Sequence, residues 1–104
     1  ENIADQGGLL VAYQAYMNTL KGKQTPKDID GFTHNQRFYI GYANLWAQNL
    51  RPQEIMRRTK TDVHSLGKWR VNAALKNIDD FYEAFGIEEG DAMYLAPEER
   101  INIW

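Results

Sequence analysis

Two stretches of this chain repeat apolar side chains at the spacing of a helix, and together they set its fold class. Between Ile3 and Leu20, the residues Leu9, Ala12, Tyr13, Tyr16 and Leu20 fall on one helical face, with Asn18 and Lys21 on the polar side. Farther on, Phe38, Tyr42, Leu45, Trp46 and Leu50 form a second, heavily aromatic face. The pattern predicts an all-α fold, several helices joined by long loops. An aromatic stripe at this spacing is usually core, and that is the role it is given.

Punctuation residues divide the rest. Gly22, Pro26 and Gly31 lie among charges in residues 21–32, which is loop chemistry. Thr33 and Gln36 then spell a capping box, in which each side chain satisfies a backbone N–H at the other position. Pro52 ends this second helix and supplies the first position of a third, running to about Arg58. A polar segment, Thr59 to Lys68, follows. Asn72 is expected to cap a short helix over 73–77, and Asn77 another over 78–85, closed by Gly86 in the left-handed conformation. Ile101, Ile103 and Trp104 are expected to dock the terminus into the core. Gly7 and Gly8, inside the first helix, each cost about 1 kcal/mol relative to Ala. They predict a close approach there, or a helix that starts late.

With 104 residues, 43% of them hydrophobic, the chain is one domain or one piece of a larger one, with no boundary inside 1–104. It has no cysteine, so a metal site would need His and carboxylate ligands. No apolar run approaches the roughly 20 residues that cross a bilayer, and no membrane contact is expected. The net charge of −2 hides an asymmetry: residues 51–70 hold six basic side chains against Glu54 and Asp62, +4 there and −6 elsewhere. Nucleic acid is disfavoured as a partner, because the chain is not basic overall and aromatics do not interleave with the basic run. A local site for a carboxylate or a peptide carbonyl fits better. A non-catalytic helical module that binds a peptide or partner through residues 51–70 is the alternative class.

Glu1 and Asp5 are four positions apart, so on a helix both carboxylates project from one face, a metal-ligand geometry. Acids in a first turn are also favoured simply by the helix dipole. His64, two residues from Asp62, is the one buried-looking candidate for chemistry in the polar segment, although a His in such a loop is most often solvated. His34 lies in a capping sequence and receives no role. A gluzincin-type zinc site takes two His from a His-Glu-x-x-His helix and a third ligand, a Glu, from another helix. An acid one turn from that Glu can orient a ligating His through its second nitrogen. Glu1 and Asp5 match that pair, and with no lead-in before Glu1 the chain reads as the tail of a longer protein.

Glu-Asn-x-Ala-Asp-x-Gly-Gly-Leu over residues 1–9, then Asp-Val-His-Ser-x-Gly-Lys-x-Arg-Val-Asn over 62–72 and a final Trp, resembles the C-terminal end of the neprilysin-like zinc metallopeptidases. The resemblance spans essentially the whole chain, with two long motifs in order. It implies the C-terminal part of a mainly helical zincin catalytic domain, in an enzyme that hydrolyses peptide bonds with a zinc-activated water. By the same resemblance the third zinc ligand falls on Glu1, and the aspartate that holds a zinc-ligating His on Asp5. The oxyanion-stabilising histidine falls on His64, and the arginine that binds a substrate carbonyl on Arg70. Asp62 is expected, from proximity alone, to orient His64.

Leu66 stands where the family usually has Pro, Trp69 replaces Phe and Ala73 replaces Gly, all beside the functional positions. Ile87 and Ile101 occupy the region where animal members carry cysteines, which suggests a bacterial-type member. The resemblance implies peptide substrates, one Zn2+ per full-length enzyme but none expected on this piece alone, and an extracytoplasmic location. With no His-Glu-x-x-His of its own, the piece is expected to be inactive. Glu1 is expected to have an exposed side chain.

Overall fold

The capping box forms as spelled. Thr33 Oγ1 accepts the Gln36 N–H at 3.2 Å, and Gln36 Oε1 accepts the Thr33 N–H at 3.0 Å. The helix it starts, α2, spans His34–Leu45. The computed structural model describes residues 1–103 and is all-α: α1 (Asn2–Leu20), α2, α3 (Pro52–Thr61), α4 (Gly67–Leu75), α5 (Asp79–Phe85) and a 3₁₀ turn, Pro97–Glu99. Among the described residues, β structure is confined to one isolated bridge, Ile29 with Phe32.

The core is Leu9 of α1, Tyr39 of α2, Val71, Ala74 and Leu75 of α4, and Ile78, Phe81 and Tyr82 around α5. Aromatic rings join its layers. Tyr39 stacks on Tyr13 at 5.5 Å between centroids and meets Phe81 edge-on at 5.6 Å, in the arrangements that aromatic quadrupoles favour. α1 packs on α4 and α2 on α5, which brings the N-terminal end of α1 to the N-terminal half of α4.

Several local expectations need correction. α2 stops at Leu45, which is 77% exposed, and its deepest residue is Tyr39 at 1%, outside the stripe read from the sequence. Ala12 is exposed as well. α3 runs three residues beyond Arg58, to Thr61. Asn72 caps nothing: α4 has already begun at Gly67, because Val71, Ala74 and Leu75 share a buried helical face, and their burial outweighs the capping preference of one Asn. Nor does Asn77 cap α5, whose N-cap is Ile78. Instead Asn77 Nδ2 donates to Ala73 O at 2.7 Å, while its Oδ1 accepts the Ile101 N–H at 2.7 Å. Gly86 does close α5 in the left-handed region, with φ of 62°.

The final segment is tied down through its backbone rather than its side chains. Ile101 O accepts Gln6 Nε2–H at 2.6 Å, opposite the bond from Ile101 N–H to Asn77. The side chains of Ile101 and Ile103 stay exposed, so neither fills the core. Trp104 lies outside the described residues. Of the glycine pair in α1, Gly7 is buried, but a Cβ at Gly8 would meet nothing within 4 Å, so no close approach explains Gly8.

Candidate active site

Glu1 is the N-cap of α1, and its carbonyl accepts the Asp5 N–H at 2.8 Å. The two carboxylates therefore stand one turn apart on one face, Glu1 exposed and Asp5 largely covered. α4 brings Arg70 to that face. Arg70 Nε and Nη2 donate to Asp5 Oδ2 and Oδ1 at 2.6 and 2.7 Å, a fork-to-fork pair joining positions 65 residues apart. Its Nη1 reaches Glu1 Oε2 at 3.4 Å. The Asp5 hydrogen bonds push the Arg70 pKa further up, so the guanidinium is a fixed cation.

The other face of Arg70 lies over the Trp46 ring, 4.1 Å from its centroid, a cation–π contact. Tyr42 Oη donates to the Arg70 carbonyl at 3.1 Å, and burial pushes that phenol's pKa up. Trp46 can come this close because α4 starts on a glycine. A Cβ at Gly67 would sit 2.7 Å from the Trp46 carbonyl oxygen. Trp46, Tyr42 and Gly67 were not legible as site residues from the sequence, where the first two counted only as members of an aromatic stripe.

His64 sits in the loop between α3 and α4. Asp62 Oδ1 accepts its backbone N–H at 2.9 Å and faces its Nδ1 at 2.8 Å. These bonds hold the Asp62 carboxyl below its ordinary pKa, the backbone N–H first and the ring second. His64 Nε2 lies 3.1 Å from Glu1 Oε2. Both ring nitrogens thus face carboxylate oxygens, and only the imidazolium donates to both at once. Asn2 Nδ2 donates to Ser65 Oγ at 3.1 Å, a second tie between this loop and α1. The imidazole is 48% exposed, not buried as its place in the sequence suggested.

Glu1, Asp5, Asp62, His64 and Arg70, drawn from two stretches about sixty residues apart, meet in one cluster, with Glu1 touching both His64 and Arg70. A cavity of about 220 Å³ opens beside them, walled by Trp46, Gln48, Arg58, His64 and Arg70. Over residues 1–101 the chain matches the family model described as Peptidase family M13. The chain belongs to peptidase family M13.

Relatives and structures agree with that membership. The whole chain aligns with human neprilysin at 39% identity over 106 residues, covering 14% of that protein. It aligns with the neutral endopeptidase of Lactobacillus helveticus at 40% over 104 residues, again 14% of the relative. It therefore spans about one seventh of the length of these M13 relatives. In three dimensions it is similar to the Mycobacterium tuberculosis zinc metalloprotease Zmp1 in its open state, with a TM-score of 0.91 and 43% identity. That match covers 99% of this chain and 16% of Zmp1. Zmp1 in complex with an inhibitor is matched with a TM-score of 0.90.

Leu66 has φ of −61°, the value a proline ring imposes. Trp69 is 55% exposed, with Lys68 Nζ 5.4 Å from its ring centroid, and points away from the core.

Proposed function

We infer that this chain is one continuous C-terminal piece of the catalytic domain of a zinc-dependent metalloendopeptidase or oligopeptidase. The observation that carries the reading is the convergence on Glu1. Its Oε2 lies 3.1 Å from His64 Nε2 and 3.4 Å from Arg70 Nη1, within a family whose relatives include a zinc metalloprotease. Peptides are the substrates, and the location is extracytoplasmic. No helix among the described residues is long and apolar enough to cross a membrane.

The donor set fits one ligand of a zinc site and no more. Glu1 offers an exposed carboxylate, while the two nitrogens of His64 are already engaged by carboxylates. No group of three His, Cys, Asp or Glu side chains converges among the described residues. The remaining ligands and the general base belong to a His-Glu-x-x-His helix upstream, so the 104 residues alone neither retain zinc nor cleave peptides. When bound, zinc supplies Lewis-acid polarisation of the scissile carbonyl and lowers the pKa of a coordinated water.

The chain's own residues do the rest of the positioning. Asp62 holds the Nδ1 edge of His64, and Nε2, which faces Glu1 Oε2 here, is released to donate to the oxygen that gains charge as the carbonyl carbon becomes tetrahedral only when Glu1 turns its carboxylate to a metal. Losing one such donor typically costs about 10²- to 10³-fold in rate. Arg70, locked by Asp5 and backed by Trp46, offers its remaining N–H groups to a substrate carbonyl. Asp5 spends one lone pair per oxygen on Arg70 and keeps the others for a zinc-ligating imidazole.

Glu1→Gln in the full-length enzyme tests the reading, with metal content and hydrolysis of an internally quenched peptide measured side by side. Both should be lost together. A variant that keeps its zinc and its activity removes Glu1 from the ligand set.

A further inference from the structure

The cavity beside His64 contains three cationic or potentially cationic groups, and their charges are balanced unequally. Arg70 is matched by the two-pronged bond from Asp5, with Glu1 beyond it. His64 has a carboxylate at each ring nitrogen. Arg58 is different. Its partner Glu54 is already held by Arg57, whose Nε and Nη2 take Oε2 and Oε1 at 2.9 and 2.8 Å. Arg58 Nε shares the same Oε1 at 2.8 Å, so one carboxylate serves two guanidiniums.

Arg58 is also held in place. Its Nη1 donates to Gln48 Oε1 at 3.2 Å, and the side chain is 32% exposed. With Nε on Glu54 and Nη1 on Gln48, the planar guanidinium is fixed, and Nη2 makes no hydrogen bond among the described residues. A rigid fork with unused N–H donors and only a shared carboxylate partner suits a further carboxylate. The one anion in the cavity wall, Asp62, feels the Arg58 charge through space but makes its hydrogen bonds through Oδ1 to the backbone and ring of His64 rather than to Arg58.

We propose that Arg58 is a specificity-determining residue that binds a carboxylate of the peptide substrate, in the cavity it shares with Trp46, His64 and Arg70. This rests on the peptidase reading above, and it adds a substrate class: peptides that place an acidic group beside the residue anchored by Arg70. The carboxylate is either an acidic side chain or the C-terminus of a short peptide, and both present the same chemistry to the fork.

Three peptides of one sequence separate the sources: a neutral one with an amidated end, one with a free C-terminus, and one in which an internal Gln is replaced by Glu. Hydrolysis and binding, the latter by fluorescence anisotropy, are measured for the full-length enzyme, Arg58→Gln and Arg58→Lys. Each acidic peptide is expressed as a ratio to the neutral one within the same enzyme, which cancels any general loss of activity. The wild type is expected to prefer at least one acidic peptide by about 3- to 10-fold in kcat/KM, through KM, with the preference falling as salt is raised. Arg58→Lys should keep part of it and Arg58→Gln none. Cleavage with equal ratios in wild type and Arg58→Gln overturns the proposal and leaves the peptidase reading standing. Binding with an Arg58-dependent acidic preference but no cleavage supports the carboxylate site and overturns the peptidase reading. Neither binding nor cleavage overturns both.

Discussion

Arg70 and Asp5 face each other fork to fork across 65 positions of sequence, with both side chains about 85% covered. They fasten α4 to α1 and, through that packing, fix the distance between Glu1 and His64. Removing one partner leaves the other charge covered without compensation. Asp5→Asn should lower the chain's unfolding free energy by about 1.5–3 kcal/mol, the range for a charge-assisted hydrogen bond. A double-mutant cycle with Arg70→Gln, read from urea midpoints, should give a coupling of the same order. Additive effects in that cycle would contradict the pair.

His64 is oriented by Asp62 but remains half-exposed and outside the core. His64→Ala in the full-length enzyme should therefore lower kcat by about 10²- to 10³-fold while zinc content and thermal midpoint stay near wild type. An unchanged kcat would take His64 out of the reaction.

The fold was legible where local and tertiary preferences agree. The capping box at Thr33 and the left-handed Gly86 depend only on neighbours in sequence, and both form as read. Asn72 and Tyr39 show the opposite case. Asn72 has a strong capping preference of its own, yet α4 runs through it because Val71, Ala74 and Leu75 are buried in the core that also holds Leu9, Tyr39 and Phe81, which a single-helix pattern cannot reveal. Tyr39 is the most buried ring in α2 because Tyr13 and Phe81 close on it from two other helices. At the site, Glu1, Asp5, His64 and Arg70 were visible as motif positions. Trp46 was not, and Gly67 was visible in the motif but not as a support, since both matter only once the end of α2 meets the start of α4.

Glu54 carries the clearest pH signature. Its hydrogen bonds to Arg57 and then Arg58 pull its pKa from the ordinary 4.5 down to about 2. A depressed carboxyl pKa contributes stability that is fully present above the unfolded value, here above about pH 4.5, and is lost as pH falls through the folded value. The Glu54 side-chain carboxyl carbon, followed by NMR, should titrate with a midpoint at about 2. Arg57→Gln should move that midpoint up, and a wild-type midpoint at the ordinary carboxylate value would refute the shared pair.

Two glycine-to-alanine substitutions should have opposite signs for one physical reason. At Gly8, inside α1, a Cβ meets nothing within 4 Å, so Gly8→Ala gains helix propensity without a clash. It should stabilise the chain by about 0.5–1 kcal/mol. At Gly67 the same Cβ would lie 2.7 Å from the Trp46 carbonyl oxygen and 3.3 Å from its Cβ. The first of these neighbours is backbone and cannot swing aside, so α4 and the end of α2 must separate. Gly67→Ala should destabilise by about 1–3 kcal/mol, as overpacking does. The shift also lifts Trp46 from the face of Arg70, so in the full-length enzyme the variant should raise KM more than it lowers kcat. Paired thermal melts of the two variants decide the matter: a Gly67→Ala protein as stable as Gly8→Ala would mean that the close approach of α4 to Trp46 is not what holds Arg70 in place.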